Sequence, residues 1–408
     1  MVRFKLSFII KSFTVLIISA LLFNIDITTS KPLINASNSI FIDRDNRIRI
    51  FHGMNIFNKE PPYSFNLSDN TFYYKNSISN IDVSFLVDLG INLVRIGVVW
   101  EGYETEKGEF NEDYLENINS LINKLGEVGI FTVLTNYQTL FSSKFCGAGV
   151  PLFYLSNYST DCSADLFSNI SKLLGFCVSI TEAKQKESCD QIQQNHKYQT
   201  SIEISTLYNQ IYNEKSDLFR AYATYWNRIL KRFYQHRYII SFDPWYNLQA
   251  SDVHNSILSN IPSYQANSNI LLFYKNIEKI TAGDNSVFSN PLYPDSNYIR
   301  FSGFNSTPSS NFKIHTENIV CNDEKKCESM IYGKIQSIIS ISSKLNVTPL
   351  VNAIYINSII TTEQEERLLS VFFNEAHKHN LSWIYNDYKP FSNVSFVYEW
   401  YLILKAYL

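Results

Sequence analysis

Leu93 to Glu104 reads LVRIGVVWEGYE and Lys144 to Pro151 reads KFCGAGVP, and the first of these decides the fold. Leu93 to Val99 is a short apolar run interrupted in polarity only by Arg95, which reads as a buried strand. On its N-terminal side Val83 to Leu89 is helix-like. On its C-terminal side Asn111 to Leu125 carries apolar residues at helical spacing, and Ile130 to Leu134, bounded by Gly129, is the next strand. A strand, a helix and a second strand of this kind form one unit of a parallel sheet.

The same unit recurs outward from there. A helix over Asp217 to Phe233 precedes a strand at Tyr238 to Phe242, Ile331 to Leu345 precedes Pro349 to Tyr355, and Glu363 to His379 precedes Ser382 to Tyr385. Repeated alternation with short apolar strands predicts an α/β fold, a (β/α)8 TIM barrel with parallel strands inside a ring of helices. Ile40 to Phe51 alternates around Asp43-Arg44-Asp45-Asn46 and predicts a hairpin leading into the first barrel strand. The polar, cysteine-bearing stretch from Leu152 to Lys215 fits no such unit and reads as a long insertion after strand 3. Residues 260–311 read as long loops. No repeat and no linker divides the chain, so residues 31–408 are expected to form a single barrel behind a leader at 1–30.

That leader has Arg3, Lys5 and Lys11, an apolar run from Ser12 to Phe23, and a polar flank from Asp26 to Ser30, the layout of a secretory signal. The run is short for a bilayer span, so a soluble protein in a secretory lumen or outside the cell is expected. Six cysteines fit an oxidising compartment and disulfide pairing, and their spacing matches no zinc pattern. Glycosylation sequons at Asn35, Asn66, Asn157, Asn169, Asn305, Asn346, Asn380 and Asn393 agree with a secreted glycoprotein. A net charge of -3 over 408 residues gives no basic field for nucleic acid. The 45% hydrophobic and 15% aromatic content is ample for a large core. His377 and His379 are two apart on a helix, face different sides, and make no metal site. No metal and no cofactor is expected.

Several motifs in order resemble the catalytic domain of endoglycoceramidases, secreted members of glycoside hydrolase family 5 that cut the bond between a glycan and ceramide. They are Gly53-Met54-Asn55 followed by Lys59 and Pro61-Pro62-Tyr63, then Val94 to Trp100, Asn111 to Leu115, Lys144 to Gly147 with Gly149-Val150-Pro151, Tyr225-Trp226, Ser382-Trp383 and Tyr388-Lys389. The resemblance runs from about Phe51 to Phe391. It implies a retaining glycosidase with two carboxyl groups roughly 5 Å apart at the C-terminal ends of barrel strands. The acid/base glutamate of the family follows the fourth strand in an Asn-Glu-Pro motif. Counted without gaps from Arg232-Phe233, that position falls on Asn247, an amide that cannot donate and recover a proton near neutral pH. Counted with a gap, it falls on Asp243, a shortened acid. The nucleophile position after the seventh strand falls on Ala353, which carries no nucleophile. The family's Asp-Met-His-Gln-Asp after the third strand corresponds to Thr135 to Thr139, which keeps only Gln138. The β-sandwich that commonly follows the barrel in this family is expected to be missing, because the chain ends at Leu408.

What the resemblance leaves is suited to binding. Lys59, Arg95, Gln138 and Trp383 are the candidate glycan contacts, and Trp100 and Trp245 either offer flat faces to sugar C–H groups or pack in the core. The expectation is a secreted, endoglycoceramidase-like pseudoenzyme that binds a glycan or glycosphingolipid. Two alternatives stay open: an active retaining glycosidase that uses Asp243, and a structural or adhesive surface protein with no sugar site.

Overall fold

The computed structural model describes residues 34–37, 40–68, 76–155, 202–213, 215–233, 236–243, 300–301, 324–345, 348–354, 362–385 and 388. Its centre is a seven-stranded, all-parallel sheet built from β4 (His52–Ile56), β5 (Leu93–Val99), β8 (Phe131–Tyr137), β9 (Ile239–Asp243), β10 (Arg300–Phe301), β11 (Pro349–Ile354) and β12 (Ser382–Tyr385). The strand order is β10-β11-β12-β4-β5-β8-β9. The last described strand therefore lies beside the first of the parallel set, as the curled sheet of a (β/α)8 barrel requires, and the sheet fits that fold. β1 (Ile34–Ser37), β2 (Ile40–Asp43) and β3 (Ile48–Arg49) make a separate antiparallel sheet, and β6 (Glu104–Glu106) and β7 (Glu109–Phe110) a small hairpin.

Two of the described helices are started by side-chain caps. Ser79 caps α1 (Asn80–Asp88) with a capping box in which Asp82 Oδ2 accepts from the Ser79 amide at 2.7 Å. A four-residue turn, α2 (Trp100–Tyr103), follows β5 directly. Asn111 caps α3 (Glu112–Gly126), whose Leu115, Ile118, Leu121, Ile122 and Leu125 are all buried against the sheet. Beyond the short α4 (Leu152–Leu155) come α5 (Ile202–Tyr212), α6 (Asp217–Phe233), α7 (Glu324–Leu345) and α8 (Thr362–Lys378). Trp226 on α6 is fully buried in this outer layer.

The sheet has two apolar sides. Outward-facing residues such as Val94, Ile96, Leu134 and Val351 join the helices in one large cluster. Inward-facing Leu93, Val133, Ile240, Leu350 and Ile384 form a second cluster with Ile34, Phe41 and Phe51. The antiparallel sheet thus plugs the N-terminal end of the parallel strands. Thr348 Oγ1, just ahead of β11, donates to the Ile40 carbonyl at 3.1 Å, and the Phe41 and Phe51 rings meet edge to face at 5.0 Å. The opposite end, where the strands finish, is the mouth.

Several spans differ from the sequence reading: α7 begins at Glu324, seven residues ahead of Ile331, and β10 at Arg300–Phe301 falls in the stretch read as long loops. β8 runs three residues beyond Leu134, because Thr135, Asn136 and Tyr137 pair with Gly97, Val98 and Val99 despite their polarity. α5 lies inside the stretch read as an insertion and buries Ile204, Leu207, Tyr208 and Ile211. The cysteine-bearing part of that stretch, 156–201, lies outside the described residues. Neither Cys146 nor Cys327 is a free thiol. Among the described residues no helix is long and apolar enough to cross a membrane.

Candidate functional site

Side chains alternate along a strand, so the residues that face inward can be followed from the plug to the mouth. Above the apolar layer, polarity changes. Asn55, Arg95, Thr135 and Asp243 are all buried, at 0 to 3% exposure. Arg95 lies opposite Asn55, and Thr135 opposite Asp243. The Arg95 guanidinium reaches towards the mouth, where it is ion-paired with Asp243 and donates to Thr135 Oγ1 at 3.1 Å. Thr135 Oγ1 in turn donates to the same Asp243 oxygen, Oδ2, at 2.8 Å. A buried carboxylate next to a guanidinium is compensated in charge. Its Oδ2 is also committed, and no other acidic residue stands on the described parallel strands.

One inward step nearer the mouth, the Phe57 and Tyr137 rings approach to 4.5 Å across Gly97. A Cβ at Gly97 would lie 2.7 Å from the Phe57 ring and 2.7 Å from Tyr137 Cβ, so the absent side chain is what lets the two aromatics meet there.

The rim is built from the segments that follow β4, β5 and β8. After β8, Gln138 Oε1 accepts from the Phe141 amide at 3.0 Å, and Thr139 and Ala148 exchange backbone hydrogen bonds at 2.9 Å. The loop between them holds Leu140, Phe141 and Cys146 at φ of 49°, 70° and 66°. Such left-handed conformations cost non-glycine residues about 1 to 3 kcal/mol each, so surrounding contacts must hold them. Glu101, two residues past the end of β5, supplies several of those contacts. Its Oε1 accepts from the amides of Ser143 (3.1 Å) and Gly149 (2.9 Å), and Tyr63 donates to Oε2 at 3.5 Å. Burial pushes its pKa up, against the lowering effect of the Ser143 and Gly149 donors and the Tyr63 hydroxyl. Nearby Glu104 is fully engaged: Trp100 Nε1 and the Tyr154 hydroxyl both donate to it at 2.6 Å.

The sequence-derived candidates fall in different places. Arg95 and Asp243 meet in the polar layer. Gln138 is buried at the start of the rim loop and Lys59 is half-buried in the segment after β4. Ala353 belongs to β11 near its mouth end. Asn247 and Trp245 lie outside the described residues. Trp383 is 2% exposed, stacked on His52 at 5.1 Å and packed on Phe373 of α8 at 4.5 Å, so its faces are taken up between sheet and helix. Trp100 is buried against Tyr225. Sequence reasoning passed over Glu101 and the Phe57–Tyr137 pair. The signal for Glu101 was its position: a carboxylate just past the end of a barrel strand stands where such folds keep their chemistry.

Fold and site together define an α/β protein whose curled parallel sheet fits a barrel, with a polar layer under its mouth. No protein-family profile matches the chain. An endoglycoceramidase from Cyanea nozakii is 26% identical over 249 residues, which is 60% of this chain and 47% of that protein. An endoglycoceramidase from Hydra vulgaris is 34% identical over 118 residues, 29% of this chain and 22% of that one. The chain thus matches less than half the length of these curated relatives. Among solved structures, endo-glycoceramidase II from Rhodococcus sp. in a ganglioside GM3 complex superposes with a TM-score of 0.54 at 13% identity, over 86% of this chain and 76% of that one. In sequence the chain is thus endoglycoceramidase-like.

Proposed function

We propose that this barrel holds a glycan, or the glycan end of a glycosphingolipid, at its mouth without cleaving it. The observation that carries the reading is the setting of Asp243. Retaining glycosidases need two carboxyl groups roughly 5 Å apart, one to pass a proton and one to attack the sugar. Asp243 is the one acid on the described parallel strands, and its Oδ2 is bound to Arg95 and Thr135. Ala353 offers no nucleophile, and the ungapped sequence alignment puts an amide, Asn247, at the acid/base position. Lys59 is a half-buried polar group at the mouth, Gln138 is buried where it braces the rim loop, and the relatives' names supply the substrate class. A secreted setting goes with this reading: the leader at 1–30, the even cysteine count and the exposed sequons Asn66 and Asn380 support it.

The test is hydrolysis of a fluorescent glycosphingolipid beside calorimetric binding of lactose and of the same lipid. Release of ceramide should match buffer while binding is measurable. Losing general acid–base catalysis alone typically costs ~10² to 10⁴-fold in rate. The relatives' shared name favours one other reading, an active glycosidase using Asp243. Robust turnover that Asp243→Asn abolishes in protein still folded by circular dichroism would establish it instead. Neither turnover nor binding would leave a structural or adhesive role.

A further inference from the structure

The rim is built from separate segments, one after β4 that carries Lys59 and one after β8 that packs on Gln138, with β5 between them. Nothing in the two segments' own sequences fixes their spacing. Glu101 stands at the crossing. Its backbone N–H donates to the Gly149 carbonyl at 2.9 Å and its Oε1 accepts from the Ser143 and Gly149 amides. Through Oε2 it meets Tyr63, the end of the Lys59-Glu60-Pro61-Pro62-Tyr63 segment. Two backbone amides directed at one carboxylate oxygen is a specific arrangement, because each fixes a different corner of the loop. Gly149 itself, at φ +142°, has its Cα packed so closely that a Cβ would lie 2.6 Å from Gln138 Cβ. The loop corner that Glu101 holds is therefore also the one that backs Gln138.

We propose that Glu101 is the positioning residue of the mouth: by holding Ser143 and Gly149 on one side and Tyr63 on the other, it sets the spacing between the loop after β8, which packs on buried Gln138, and the segment from which Lys59 meets a neutral glycan. The inference rests on the glycan-binding reading above and adds the residue that makes the site's shape. A preformed rim binds with less ordering cost than a loose one, so the effect should appear in affinity.

Two readouts test it in the full chain: amide hydrogen exchange at Ser143 and Gly149, and lactose affinity by calorimetry. Glu101→Ala should speed exchange of both amides at least roughly tenfold and weaken lactose binding roughly tenfold, since both amides lose their acceptor. Glu101→Gln, whose side-chain carbonyl can still accept, should return both to within about threefold of the unaltered protein. Should Glu101→Ala not fold, Glu101→Asp, one methylene shorter, carries the same comparison. Unchanged amide protection in Glu101→Ala, or a loosened loop with unchanged affinity, would overturn the inference alone. A Glu101→Gln protein as weak as Glu101→Ala while its loop stays protected would assign the effect to charge, also against it. If the unaltered protein binds neither lactose nor glycolipid, the glycan reading of the mouth fails first and takes this inference with it.

Discussion

His52 shows how a single residue can couple this fold to pH. It starts β4, its ring lies on Trp383, and burial, with a smaller contribution from His377, pushes its pKa down to about 4. An unfolded histidine titrates near 6.5, so between those values the unfolded chain takes up a proton that the folded chain refuses. Stability from this residue is therefore fully present above about pH 6.5 and is lost as pH falls towards 4. Keeping the ring neutral across that window corresponds to on the order of 3 kcal/mol. Urea titrations at a series of pH values should show the unaltered protein losing stability over this range more steeply than His52→Phe, which keeps an aromatic face for Trp383. Parallel curves would mean that the imidazole is not held neutral. His52 was not singled out in the sequence, and it could not have been. Its partner Trp383 lies 331 positions away, and the same distance in sequence hid Trp383's own role, since a tryptophan in a family motif reads equally well as a sugar platform or as packing.

At the scale of elements, strand and helix positions were legible because apolar runs and helical spacing are local properties. The end of β8 was less so: Thr135, Asn136 and Tyr137 extend the strand because β5 lies alongside, and a polar residue gives no local sign of that. Helix–sheet spacing is another nonlocal property. Gly126, in the last turn of α3, faces Tyr238 so closely that a Cβ there would fall 2.1 to 2.5 Å from three ring atoms. Propensity and packing oppose each other at this position. Alanine gains about 1 kcal/mol as a helix former, whereas forcing a methyl into a filled contact costs about 1 to 3 kcal/mol. Gly126→Ala is expected to lower stability in thermal unfolding, and in a Tyr238→Ala background the same change should become neutral or stabilising. A stabilising effect in both backgrounds would show that the ring simply swings aside.

For the whole molecule, the repeated strand–helix alternation made the α/β class readable, while the site did not follow from it. Sites assemble from the ends of strands far apart in the chain, and the ion pair of Arg95 with Asp243 joins residues 148 apart. Sequence could count the acids near family positions but could not reveal which were already spoken for. The same whole-chain view carries the expectation about processing. A protein routed through the secretory pathway should be recovered with a start downstream of Phe23 and no alkylatable thiol, as read by mass spectrometry of the purified protein. Intact Met1 with six reactive cysteines would contradict it.

The hairpin plug at the base of the barrel has a consequence for display. Ile34, the first described residue, belongs to the cluster that seals the N-terminal end of the strands, so it lies at the end opposite the mouth. Tethering through that end, whether to a sensor chip, a bead or a lipid anchor, turns the rim away from the support and towards solution. A glycolipid embedded in that same supporting surface would face the sealed base, whereas one presented by an opposing vesicle or cell would meet Glu101 and its loop head on.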